Sequence, residues 1–303
     1  MSSVLYDTPG PKARRRNAIT AVVFIAVCAA ALWWVLAAMA DKGQLDADKW
    51  KPFVADGQIW STYLLPGLGE TLKAAALSIV IALPLGALLG IGRLSDHRWV
   101  RVPVGAWVEF FRSIPVLMLM IFGSALYVRF TDVSSDVRPL YAVVTGLVLY
   151  NASVIAEIVR AGILSLPRGQ TDAAKAIGMR KGQTMLYILV PQAVTAMLPA
   201  LVSQLVVILK DTALGGALLG INDLMAQYRT IPANYGANTI ATLVVIAAIF
   251  IAVNFLLTSF ASWLERKLRA SKKSTGAVLH PEDVEELAAT PGPAGPAGPV
   301  DKA

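Results

Sequence analysis

The chain has 303 residues, of which 56% are hydrophobic and only 16% charged, with a formal net charge of +7 at neutral pH. A water-soluble domain ordinarily carries about a quarter of its residues as Asp, Glu, Lys or Arg, so this composition excludes an ordinary soluble fold and points to a membrane protein. The single cysteine, Cys28, excludes a disulfide framework and a thiolate metal site, and the basic excess, which could suggest nucleic acid, sits in short segments flanking apolar runs, where membrane topology accounts for it better.

Residues 1–17 read as a disordered basic arm holding Lys12 and Arg14 to Arg16. The first charge-free run, Ala18 to Ala40, exceeds the roughly 20 apolar residues that a helix needs to cross the hydrocarbon core and is long for the apolar region of a secretory signal. It reads as a retained span, residues 18–40. Residues 41–66 then form an external loop containing "DKGQLDADKWKPF", with room for one short surface helix.

The core of the chain, 67–265, holds five further spans. Ala74 to Gly92 is the second. The third is weaker, because the charge-free run from Ser113 to Val128 must borrow Val108 to Phe111, including Glu109, to reach full length; it is read as one span. Pro139 to Ala156 and Gly182 to Leu209 are the fourth and fifth. Thr212 to Asn222 is apolar but too short to cross, and is expected to lie in the outer interface or to re-enter the protein, with Gly215, Gly216 and Gly220 allowing backbones to approach. Thr230 to Leu264 is longer than one span requires, so its first residues are expected outside the bilayer. Residues 266–303 start as a basic continuation of the last helix and end in the flexible tail "TPGPAGPAGPV", with too few Gly-Pro steps for collagen. The expected fold is therefore all-α, a polytopic bundle of six transmembrane helices.

Six spans place both termini on one side, and Lys and Arg mark which side. Lys12 and Arg14 to Arg16 precede the first span, Arg93, Arg98 and Arg101 follow the second, Arg160, Arg168, Lys175, Arg180 and Lys181 lie between the fourth and fifth, and Arg266, Lys267, Arg269, Lys272 and Lys273 follow the sixth. The opposite side receives only Lys42, Lys49, Lys51, Arg129, Arg138, Lys210 and Arg229. Both termini are expected to be cytoplasmic.

The cytoplasmic stretch "GQTDAAKAIGMRKGQTMLYILVPQA", residues 169–193, interrupts this apolar chain with a short polar helix. Thr171 can cap it, Asp172 places negative charge at the positive end of its dipole, and Gly178 stops it. Two turns are far below the length that is stable alone in water, so the helix needs a partner. Ala173, Ala174 and Ala176 keep its surface low enough for close docking, and Ile177 and Met179 offer apolar knobs. Periodicity alone leaves two readings open: a docking helix for a soluble partner, or an amphipathic loop resting on lipid headgroups.

The same residues resemble the EAA loop of ABC-importer permeases, in which a Glu-Ala-Ala triplet is followed by a glycine four residues later and then by an apolar-proline pair. Here these are Asp172-Ala173-Ala174, Gly178 and Val190-Pro191. "YNASVIAEIVRAGILSLPRGQ", "GLGETLKAAALSIV", "EFFRSIPVLML" and "LKDTALGGALLGINDL" are similar to permeases for polar amino acids in particular, and the resemblance covers residues 66 to 265. The chain departs from that pattern at Asp172, where the family usually has Glu, at "RSIP", which stands for the commoner Arg-Gly-Thr-Pro, and in its extra first helix, since family members often have five spans.

The resemblance implies that residues 170–182 form a coupling helix seated in a groove of a cytoplasmic ABC ATPase, with Asp172, Ala173, Ala174, Ile177, Gly178 and Met179 at the contact. It implies a second permease chain, the same or related, an external substrate-binding protein, and a bacterial cell-membrane location. The chain has no GxxxxGK[ST] phosphate loop, so it is not expected to hydrolyse ATP or to bind a cofactor itself; ATP and Mg belong to the partner ATPase dimer.

Polar residues inside spans are functional candidates by default. In the fourth span Gly146, Tyr150, Ser153, Glu157 and Arg160 share a face, and Glu157 with Arg160 reads either as an ion pair or as a substrate contact. In the fifth span Gln192, Pro199, Ser203 and Lys210 form a stripe with Thr195 and Gln204 beside it; Pro199 can kink the helix. Arg112 precedes Pro115, where a broken helix could face a cavity and its fork could hold a carboxylate, or it anchors the cytoplasmic side. Lys210 and Asp211 are either pathway charges or a dock for the binding protein. The expected substrate pathway thus draws on Arg112, Ser153, Glu157, Gln192, Ser203, Gln204 and Lys210. The alternative class is an ion-coupled secondary transporter, opposed by the docking helix and by the lack of paired broken-helix repeats. A membrane enzyme is remoter, because His97 and His280 both lie outside the spans and no HExxH occurs. Among amino acids, the Ala- and Val-rich composition and the tail resemble glutamate permeases of actinobacteria.

Overall fold

The helix around which the others assemble is α6, Arg138–Leu164, which buries Ala142, Val143, Gly146, Leu147, Ala152, Ile155, Ala156 and Val159 among others. In this computed structural model, which describes residues 10–270, every regular element is helical. Against one side of α6 lies α3, Leu65–Arg93, whose Ala74, Ser78, Ala82, Gly86 and Gly90 recur every four residues and are all buried. Within a bilayer, apolar burial gives helices no reason to associate, and close backbone approach across small residues is what holds them. A Cβ built on Gly86 would stand 2.6 Å from Cβ of Ile155, and one on Gly90 would stand 2.7 Å from the Ala156 carbonyl oxygen. Gly86→Leu is therefore expected to force α3 and α6 apart at a cost of about 1–3 kcal/mol or more, seen as a lower melting temperature and loss of monodisperse protein in detergent. Gly69→Leu, at an exposed site with open space around it, is expected to change neither.

On its other sides α6 receives α5, Val116–Phe130, and α9, Val190–Leu218. Gly146 lets the α5 backbone come close, since a Cβ there would lie 2.7 Å from the Met120 amide nitrogen. Ala193 and Met197 of α9 join Ile155, Val159 and Ile163 in one apolar cluster, and Ile208 joins Leu147 in another. The last helix, α11, Thr239–Ala270, packs on α9. The first, α1, Pro11–Asp41, buries none of its residues.

Five helical runs among the described residues are long and apolar enough to cross a membrane: α1, Ile59–Arg93, α6, Lys181–Leu218 and Thr239–Lys267. The sixth crossing differs from the expectation. It is broken at Ile114-Pro115 into α4, Arg98–Ser113, and α5, which meet at 101°. Proline locks its own φ and pushes the residue before it out of the helical region; Ile114 accordingly has φ −95° and ψ 130°. Val108 to Phe111 thus belong to a helix that turns away, and at about 1.5 Å per residue the 15 residues of α5 reach only about 22 Å. The passage is nonetheless required, because α3 ends beside the C-terminal half of α6 while residue 138 starts α6 at the opposite end.

Other boundaries also move. Residues 11–17, expected as disordered arm, are the first turns of α1, and residues 1–9 lie outside the described residues. Helix α9 continues unbroken through Pro199 and Lys210 to Leu218, so most of the expected interfacial or re-entrant segment is simply its last turns. Gly220, with φ +79°, then ends it. The expected early part of the last span is a separate short helix, α10, Gln227–Asn234, as its excess length implied. The tail from 271, with its Gly-Pro steps and His280, lies outside the described residues.

The expected external loop is mostly built structure. It contains α2, Ala47–Ala55, and a π-helical stretch, Ile59–Leu64. Phe53, Ile59 and Leu64 bury against Leu224, Ile231, Ala241 and Ile246. Tyr235 donates to Asp56 at 2.9 Å, and Lys49 donates to the Gly236 carbonyl at 2.6 Å. A second π-helical stretch, Thr184–Leu189, precedes α9. Both stretches run up to an apolar-proline pair, Leu65-Pro66 and Val190-Pro191, where the missing proline N–H removes a rung of the ordinary ladder.

Candidate functional site

At the end of the bundle opposite α2, the chain between α6 and α9 folds into a small platform. Pro167 fixes an extended backbone and so sets the start of α7, Arg168–Ala176, one turn earlier than a Thr171 cap would place it. Thr171 lies inside that helix. The end is as expected. Gly178 takes φ +79°, its N–H reaches the Lys175 carbonyl at 2.9 Å, and the Met179 N–H reaches the Ala174 carbonyl at 3.0 Å. This is the paired-bond stop that a left-handed residue permits. A Cβ at Gly178 would meet nothing within 4 Å, so the demand there is one of backbone conformation and not of space.

Several ties hold the platform. Lys181, opening the short helix α8, Lys181–Gln183, donates to the Leu94 carbonyl at 2.7 Å and pairs with the Asp96 carboxylate, whose pKa the ammonium holds below its ordinary value. Gln192 of α9 donates to the Gln170 side chain at 3.3 Å. Gln183 accepts from the Arg180 amide at 2.9 Å. A cavity of about 330 Å³ remains beneath α7, lined by Thr171, Lys175, Met179, Met185 and Leu189 among others.

This arrangement divides the six coupling candidates. Asp172 and Ala173 are exposed with Ala176, and Ile177 stands 78% exposed as an apolar knob at the helix end. Ala174 is buried and Met179 half-buried, so these two pack toward the chain's own platform. The helix that seemed to lack any support therefore has half of it internally. Its remaining face is small, flat and capped by Ile177.

Next to the platform lies a charged cluster. Glu157 of α6 accepts from Arg93 at 2.6 Å and from Arg160 at 2.9 Å, and lies 3.6 Å from Arg112; Arg93 also reaches Glu109 at 2.9 Å. The i, i+3 pair expected of Glu157 and Arg160 is present, but as part of a knot joining α3, α4 and α6. Arg112 does sit at a broken helix, as expected, yet its guanidinium is turned to Glu157. Sequence reasoning missed Arg93 and Glu109 as members, because only the return of α4 across the bundle brings them together.

The remaining pathway candidates do not converge. Ser153 is fully buried and donates to its own Leu149 carbonyl. Gln192 is spent on α7. Gln204 reaches Asn151 at 2.5 Å, a polar bond between α9 and α6; Asn151, also missed, was legible as a polar residue inside a span. Ser203 is exposed and bonded to the Pro199 carbonyl. Lys210 is exposed at the rim of an apolar groove of about 640 Å³ between α9 and α11 that also includes Phe250 and Asn254.

At the α2 end, Asp223 is fully buried with one carboxylate oxygen lacking any partner. Burial pushes its carboxyl up from 3.8 to about 7, against the opposing pull of the Ala226 and Met225 amides. The folded chain thus keeps a proton here that the unfolded chain releases near its ordinary value, so the stability due to this group falls as pH rises from about 4 to 7 and is level above that. Asp223→Asn is expected to remove that fall, read as the difference between wild-type and variant melting temperatures across the window.

Residues 82–270 match the protein family described as binding-protein-dependent transport system inner membrane component. The chain is 49% identical over 234 residues to the glutamate transport system permease protein GluD of Corynebacterium glutamicum, covering 77% of this chain and 85% of that protein. It is 33% identical over 211 residues to the glutamate/aspartate import permease protein GltK of Escherichia coli O157:H7, covering 68% and 93%. Among solved structures, an amino acid ABC transporter with histidines superposes with a TM-score of 0.61 at 26% identity, covering 69% of this chain and 95% of that one.

Proposed function

Because the chain belongs to the family of binding-protein-dependent transport system inner membrane components, and is a multi-pass permease of an amino-acid ABC transporter, we propose that it carries glutamate inward across the bacterial cell membrane. The observation that carries this reading is the 49% identity to a glutamate permease over most of both chains. In the assembly we infer, the α7 end is cytoplasmic, as are both termini. The exposed α7 face, Asp172, Ala173, Ala176 and Ile177, seats in a groove of an ABC ATPase dimer that holds the ATP and Mg. A second permease chain, the same or related, completes the pathway, and a substrate-binding protein delivers glutamate at the α2 end.

The geometry supplies a route for force. A load on Ile177 passes through the Gly178 stop and the Lys181–Asp96 tie to the turn between α3 and α4, and through the Gln170–Gln192 bond to α9. The Glu157 knot then couples α3, α4 and α6. Closing of the ATPase pair would thereby tilt several spans together. The polar groups Gln204, Ser203 and Lys210 on α9 are the side chains we assign to the pathway wall. No observation favours an ion-coupled secondary transporter.

The test is uptake of labelled glutamate into vesicles containing the chain with its ATPase and binding protein. Uptake is expected to require ATP inside, to persist when the proton gradient is collapsed, and to be competed by unlabelled glutamate but not by arginine or histidine. Uptake driven by a proton gradient without ATP would overturn the class, and competition by arginine or histidine would overturn the cargo.

A further inference from the structure

Helix α4 enters the force route outlined above only through Glu109 and Arg112, and its side chains are sorted into three faces. Val104, Val108 and Phe111 lie toward the bundle: Val108 is fully buried, Val104 packs near Gly92, and Phe111 is half-buried, its ring tilted against that of Trp107 with centroids 4.5 Å apart. A second face carries Arg98, Arg101, Glu109 and Arg112. The third, made of Trp99, Pro103, Ala106, Trp107 and Phe110, is apolar and uncovered. Trp99 is 92% exposed and Phe110 60%.

The direction of the helix decides what can cover that face. Helix α5 lies lengthwise on α6, with Met120 at Gly146, Gly123 at Ala142 and Tyr127 hydrogen-bonded to Thr145. Since α6 crosses the membrane and α4 meets α5 at 101°, α4 runs across the spans and along the membrane plane, at the level where α3 ends in Arg93. Past the break, α5 also leaves Met118 and Phe122 exposed. On the opposite side, Glu109 and Arg112 are engaged by Arg93 and Glu157. Neither Arg98 nor Arg101 forms a salt bridge with a carboxylate among the described residues; Arg101 donates to the Ser95 carbonyl at 3.3 Å and acts on Asp96 only as a minor, longer-range charge, since that carboxylate is paired with Lys181.

We propose that α4 is an interfacial lipid-binding helix, its Trp99–Phe110 face sunk at the boundary of the acyl chains and its Arg98 and Arg101 guanidiniums holding the phosphates of anionic lipids. An aromatic face beside arginines that no salt bridge holds is the pattern by which a helix lies in the headgroup layer, and tryptophan is favoured at that depth. The arrangement ties lipid composition to transport, because the same helix contributes Glu109 and Arg112 to the knot around Glu157. It depends on the chain crossing a membrane and not on what the chain transports.

A spin label at Ala106→Cys in a Cys28→Ser background, with every tryptophan kept, reads the environment of the apolar face in the full chain reconstituted into vesicles with and without phosphatidylglycerol. The label is expected to be relaxed strongly by oxygen and weakly by a water-soluble nickel chelate, at headgroup depth. Strong relaxation by the nickel chelate would show the face in water, and weak relaxation by both would show it covered by protein; either overturns the proposal. The preference of the chain for spin-labelled phosphatidylglycerol over phosphatidylcholine is expected to fall about fivefold for each of Arg98→Gln and Arg101→Gln. An unchanged preference would overturn the headgroup assignment, whatever glutamate uptake does.

Discussion

Gly178→Leu is expected to abolish coupled uptake while the chain still reaches the membrane in normal amount. At φ +79° any L-residue with a branched or bulky side chain resists the left-handed conformation, at a cost of about 1–2 kcal/mol. That cost is large beside a platform held by a few exposed bonds, so the backbone is expected to leave the left-handed region. The two bonds that end α7, from Gly178 to Lys175 and from Met179 to Ala174, are then lost together, and Ile177 no longer projects from a fixed position. Because a Cβ at this site meets nothing within 4 Å, the defect should not spread into the spans, and the detergent melting temperature should hold within a few degrees. Gly178→Asn, which tolerates the same φ, is expected to retain most uptake. Measuring glutamate uptake and ATPase activity side by side checks this: leucine should lower uptake at least tenfold with ATP hydrolysis no longer stimulated by the binding protein, and asparagine should not.

The second large effect is expected at Glu157. Its carboxylate serves Arg93 and Arg160 and stands near Arg112, and it is about 30% exposed while Arg93 is only 15% exposed. Breaking a fully buried ion pair by removing one partner costs about 3–5 kcal/mol; partial exposure here reduces the expected loss to about 1–3 kcal/mol. Glu157→Gln leaves three guanidiniums facing one another with Glu109 alone for an anion, so it should lower the melting temperature and also cut the maximal rate of uptake, with little change in the glutamate concentration at half-maximal rate. A residue that merely contacted substrate would do the reverse, raising that concentration at an unchanged melting temperature. Reversal of this pattern would return Glu157 to the pathway.

How much of this was legible in the sequence follows from the range of the interactions involved. Runs such as Ala18 to Ala40 and Pro139 to Ala156 announce their helices because each satisfies its backbone internally, and the surplus length before Leu264 announced α10. Gly178 was readable as a stop because a lone glycine after a short amphipathic stretch has few other uses. The 101° break was half legible: Pro115 was seen, yet Glu109 was read as a charge carried into the span when it belongs to a helix lying across it. Amphipathic spacing at Arg98, Arg101, Glu109 and Arg112 held the signal, but a search for charge-free runs passes over it. The inward turn of Ala174 and Met179 could not be read, since a nine-residue helix shows its periodicity without showing which side has neighbours. The Glu157 knot draws on residues 93, 109, 112, 157 and 160 and exists only once three helices are packed.

The claim on which the rest depends is that the exposed face of α7 is gripped by the ATPase. With Cys28→Ser as background, a bifunctional reagent attached at Ile177→Cys should join the chain to the ATPase subunit in the assembled transporter, at a yield that changes when ATP is added, and the same cysteine should be unreactive to an impermeant maleimide applied outside intact cells. Labelling from outside, or a cysteine that stays free of the ATPase and is quenched only by lipid-borne probes, would contradict the account.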